Sequence, residues 1–63
     1  TQTKVAVVEN HSMFRSCFTS YLNTSSRVNV IFAVENGLQL FKKLQEQKPD
    51  IIFMDYVSLV KMD

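Results

Sequence analysis

Lys4-Val5-Ala6-Val7-Val8-Glu9-Asn10-His11 is the stretch that decides the fold. Five residues, four of them apolar and three of those β-branched, give way without transition to three polar ones. A strand with no polar alternation is one covered on both faces, which is the condition of strands in parallel sheets. Ile51-Ile52-Phe53-Met54 repeats the pattern and runs straight into Asp55. Val28 to Val34 is a third apolar run, with Asn29 near its start and a Ser-rich loop before it, so it is expected nearer the sheet edge.

Two helices are expected between the strands. From Ser12 to about Asn23, Met13, Phe14, Cys17, Phe18, Tyr21 and Leu22 form a broad apolar stripe at helical period, with Ser12 or Asn10 as cap. Glu35-Asn36-Gly37 reads as a turn. From Gly37 to about Gln47, Leu38, Phe41 and Leu44 lie three apart with Leu40 beside them, and Lys42, Lys43, Gln45 and Glu46 fill the other side. Pro49 stops this helix, because it lacks an N–H. The order β-α-β-α-β implies an α/β fold with parallel pairing through right-handed crossovers.

Composition closes off several function classes. The chain has 63 residues, close to the lower limit for a domain that folds alone, so it is expected to form a single domain. With 46% hydrophobic and 21% charged residues it is globular, not a disordered tail. A net charge of +1 offers no footprint for nucleic acid or an anionic membrane, and no direct nucleic-acid contact by this segment is expected. One cysteine and one histidine exclude a disulfide- or zinc-stapled domain. No apolar run is long enough to span a bilayer, and no signal peptide is visible, so a cytoplasmic location is the expectation.

The chemistry gathers at strand ends. Open parallel sheets bind ligands outside the carboxyl ends of their strands. If the first and third strands are neighbours, Glu9, Asn10 and Asp55 meet there, and such an oxygen set suits a hard cation such as Mg²⁺. The plainer reading leaves each as a polar loop residue. His11 reads as solvent-facing, Cys17 as a small core residue, and Arg15 and Arg27 as isolated charges. Lys42 and Lys43 read as a solvated face. Phe14, Phe18, Phe32, Phe41 and Phe53 read as core, and Tyr56 as packing on or shielding Asp55. No second catalytic pair is present, so the chain is not expected to be an enzyme.

Lys4 to Arg15, with its His-x-x-Phe-Arg, resembles the opening of a bacterial two-component response-regulator receiver domain, in the branch with helix-turn-helix DNA-binding output and a role in transcription regulation. Lys48-Pro49-Asp50-Ile51-Ile52-Phe53-Met54-Asp55 is similar to the third receiver strand, and Val34-Glu35-Asn36-Gly37 to the turn before its second helix. The resemblance implies a partial flavodoxin-like (CheY-like) fold with parallel strand order 2-1-3, without the last two strands. It implies Asp55 as acceptor of a phosphoryl group from a histidine kinase. Glu9, Asn10, Asp55 and the backbone carbonyl of Val57 would hold Mg²⁺. Asn10 stands where the family has its second acid, which weakens the expected affinity. Ser58-Leu59 replace the family's Met-Pro, and Met62-Asp63 stand one place from its Met-Asp-Gly turn. The switch Ser/Thr and the phosphate-binding Lys of later strands have no counterpart, so the chain is expected to be part of a longer regulator.

With the third strand's edge open, a homodimer or higher oligomer is expected, for instance with sheet order 2-1-3-3′-1′-2′. The alternative function is a pseudo-receiver that dimerises or docks on another protein without phosphoryl chemistry.

Overall fold

A computed structural model describes residues 1–54. The elements run β1 (Thr3–Val8), α1 (Ser12–Leu22), β2 (Val28–Val34), α2 (Gly37–Leu44) and β3 (Ile51–Met54). All pairing is parallel, and the sheet order is β2-β1-β3. The α/β class, the order 2-1-3 and the peripheral place of β2 agree with the sequence reading. Among the described residues, no helix is long and apolar enough to cross a membrane.

β1 is central, and Val5, Ala6, Val7 and Val8 are buried. Alternate residues face opposite sides of the sheet. Ala6 and Val8 join Phe32, Val34 and Leu40 in one cluster, with Ile31 and Leu44 half-buried against it. This is the α2 side. Val7 looks to the other side, towards α1, where Phe18 meets Phe53 edge-on at 5.4 Å and stacks on Phe14 at 5.9 Å.

The β1–β2 register contains a step. Val5 faces Val30, but Ala6 faces Phe32, so β2 carries one extra residue, Ile31. That residue brings Phe32 and Val34 onto the same face as Ala6 and Val8. At the other side, Asp50 starts the β3 ladder. Its N–H donates to the Lys4 carbonyl at 2.7 Å, and its Oδ2 accepts from the Lys4 N–H at 2.8 Å.

Several boundaries and core assignments differ from expectation. β1 begins one residue early, because the Thr3 N–H donates to the Arg27 carbonyl at 2.8 Å. The N-cap of α1 is His11 and not Ser12 or Asn10, and no side chain caps it. α2 ends at Leu44, and tight backbone bonds from Gln45 and Glu46 close it before Pro49 is reached. Asn36 is its N-cap, accepting from the Gln39 N–H at 2.9 Å through Oδ1, while Gln39 Oε1 accepts from the Glu35 N–H.

Of the five phenylalanines expected in the core, only Phe32 is buried; Phe18 is half-buried, and Phe14, Phe41 and Phe53 are exposed. Cys17 is exposed too. α1 buries no residue at all. α2 presents Leu40 and Leu44, four apart, to the sheet, so Leu38 and Phe41 turn outward. The physical reason is width. Among the described residues, each face of this sheet carries one helix, and a single helix buries one narrow stripe and leaves the flanks of a broad apolar face uncovered.

Candidate functional site

Glu9 follows the last residue of β1 and is nevertheless buried, 4% exposed. Its backbone continues the sheet by one step: the Glu9 N–H donates to the Val34 carbonyl at 3.0 Å. Its carbonyl accepts from Arg15 Nη1 at 2.7 Å. Among the described residues, its carboxylate is held on one side only. Oε2 accepts the His11 N–H at 3.0 Å and also lies 3.0 Å from His11 Nδ1, which donates to it in the Nδ1–H tautomer. Oε1 is shielded from water and has no hydrogen-bond partner among the described residues.

A buried carboxylate oxygen without a partner costs about 1–3 kcal/mol or more, so the atom calls for a donor or a cation. Beside Glu9, Asn10 is exposed. Together they offer one carboxylate and one amide, an all-oxygen set of the kind a hard cation takes. Among the described residues, no three His, Cys, Asp or Glu side chains gather into a metal-holding group. Lining residues Val7, Val8, Phe14, Phe18, Phe53 and Met54 make, with Glu9, an apolar cleft of about 230 Å³ at the same rim.

The sequence reading depends on β1 and β3 lying side by side. They do, and Val8 stands opposite Met54. Glu9 follows Val8 as Asp55 follows Met54. Asp55 and Val57 lie outside the described residues, as does Tyr56. His11 is solvent-facing as expected, but its bonds to Glu9 were not foreseen. Nor was the reach of Arg15 back to the end of β1. The available signals were the two-position spacing of Glu9 and His11 and a cation near the start of the helix that follows the strand.

Residues 5–63 match the family model described as "Response regulator receiver domain". The chain belongs to the response-regulator receiver family. A relative named "Response regulator protein VraR", from Staphylococcus saprophyticus, is 40% identical over 82% of this receiver chain and 25% of its own length. "Protein-glutamate methylesterase/protein-glutamine glutaminase" of Lawsonia intracellularis is 34% identical over 97% of the chain and 17% of its own length. "Oxygen regulatory protein NreC" of Staphylococcus aureus is 29% identical over 82% of the chain and 24% of its own. The receiver chain thus spans a quarter or less of these relatives. No solved structure gives a significant match. The family is one of two-component signalling proteins, and the parallel 2-1-3 sheet is the first part of its strand order.

Proposed function

We propose that the chain is the phosphoacceptor-bearing part of a receiver, one domain in which Asp55 takes a phosphoryl group from the phosphohistidine of a histidine kinase. The observation that carries this reading is the parallel pairing of β1 with β3, which supports a common rim for Glu9 and Asp55. In the transfer, an Asp55 carboxylate oxygen attacks phosphorus, the P–N bond breaks as the P–O bond forms, and the histidine nitrogen takes up a proton. Glu9, Asn10, Asp55 and the Val57 carbonyl would hold Mg²⁺. Bound there, Mg²⁺ supplies neutralisation of phosphoryl oxygens. The chain's own part is to keep Glu9 oriented and Asp55 accessible.

Incubation with a small-molecule phosphodonor and Mg²⁺ tests this by mass spectrometry. The expected result is the gain of one phosphoryl group, absent in Asp55→Ala. No gain at any Mg²⁺ concentration would overturn the reading and favour the docking-module alternative. That alternative draws on β3, whose residues are each 38–46% exposed and whose only strand partner among the described residues is β1. A homodimer through this edge is part of the proposal, and a folded monomer in sedimentation at micromolar concentration would refute it.

A further inference from the structure

Glu9 is fixed at three points, and a fourth, Oε1, is hydrogen-bonded to none of the described residues. Its N–H is tied to Val34, its carbonyl to Arg15, and Oε2 to His11, while Oε1 is buried and has no partner among the described residues. A side chain held only for packing has no reason to keep one oxygen satisfied twice and the other not at all. An asymmetric hold of this kind is what a ligand atom needs. Fixing the carboxylate's rotation in advance removes the entropy loss that a cation would otherwise have to offset.

We infer that His11 and Arg15 are positioning residues for Glu9, which clamp its carboxylate and its carbonyl so that Oε1 alone is presented to the cation of the receiver site. The inference rests on the proposed Mg²⁺ site and adds two residues to it. His11 acts on the carboxylate. Through Arg15 the first turn of α1 is tied to the carboxyl end of β1, so that the turn carrying Asn10 is held from both sides. Neither touches the cation. His11 is engaged through Oε2, and Arg15 meets only a backbone oxygen.

The two residues are separable by conservative replacement. Asn at position 11 places an amide donor near the Nδ1 position; Ala places none. Lys at position 15 keeps one donor of the guanidinium's reach; Ala keeps none. Mg²⁺ titration of the full 63-residue chain, followed by amide chemical shifts at Glu9 and Asn10, gives a dissociation constant for each variant without any phosphoryl chemistry. Thermal unfolding without Mg²⁺ reports the fold.

Expected are an about tenfold weaker Kd for His11→Ala and Arg15→Ala, recovery to within about twofold in His11→Asn, and partial recovery in Arg15→Lys. Should Arg15→Ala fail to fold, the two His11 variants decide. Wild-type affinity in His11→Ala, or no recovery in His11→Asn, overturns the clamp while the site stands, provided Glu9→Gln still loses Mg²⁺. Absence of Mg²⁺ binding in the wild-type chain overturns the site itself and the clamp with it.

Discussion

Restoring the missing acid at position 10 is the sharpest probe of the proposed cation site. Asn10 is exposed at the end of β1, next to buried Glu9. Asn10→Asp adds one negative charge without changing size. Because the position is exposed, the high-dielectric limit applies: two unit charges about 4 Å apart interact by ~1 kcal/mol in water. A divalent ion doubles this to ~2 kcal/mol, and physiological salt reduces it somewhat. At 1.4 kcal/mol per factor of ten, the expected gain in Mg²⁺ affinity is about ten- to thirtyfold.

The sign reverses without the ion. Asp beside Glu9 adds repulsion, so the Mg²⁺-free variant should melt below the wild type. Above both dissociation constants it should be stabilised more by Mg²⁺, in proportion to the logarithm of the affinity ratio. The assay is a Mg²⁺ titration at two ionic strengths, paired with melting curves. An affinity within twofold of wild type, or a melting temperature that Mg²⁺ shifts equally in both, would refute the reasoning and remove Asn10 from the site.

Four further outcomes concern the scaffold. Leu40→Ala should cost about 2–5 kcal/mol and lower hydrogen-exchange protection first in α2, since Leu40 is that helix's only buried residue, whereas Phe41→Ala should cost less than about 1 kcal/mol by denaturant unfolding. Asn36→Ala removes the side-chain cap of α2 and should cost about 1 kcal/mol, measured the same way. Gly37→Ala should be neutral or stabilising by up to about 1 kcal/mol in melting experiments, because nothing lies within 4 Å of the added methyl group and no positive φ is required. Asp50→Ala removes the acceptor for the Lys4 N–H and should cost about 1 kcal/mol, with amide exchange of β3 rising before that of β2.

The strands were legible as apolar runs, led by Thr3 and Lys4 in β1 and interrupted by Asn29 in β2, whereas their order 2-1-3 came from the family resemblance and not from the pattern. Val5 to Val8 and Ile51 to Met54 allow few other readings. The core was less legible. Helical spacing brings Leu38, Leu40, Phe41 and Leu44 to one broad side, but which stripe meets the sheet depends on how the helix is rolled, and here the pair Leu40–Leu44 prevails. Phe14 and Phe53 are apolar and still exposed, since composition does not say how wide a cover the sheet receives. At the rim, the place of Glu9 and Asn10 just beyond the carboxyl end of β1 followed from the strand reading. The His11 and Arg15 bonds did not, because they depend on loop geometry that leaves no periodic mark. The same holds for Ile31, an ordinary strand residue until its partner on β1 is known.

That surplus residue in β2 acts as an expansion joint. Val28 to Val30 and Phe32 to Val34 are seated on β1 as two separate halves, and Val34 is the residue whose carbonyl receives the Glu9 N–H. A gain or loss of length upstream of Ile31 can therefore be taken up at this step without sliding the far half. Loss of the single codon for Ile31 would merge the halves into one regular ladder and leave the Glu9 anchorage untouched, whereas loss of Ala33 would pull that anchorage out of register.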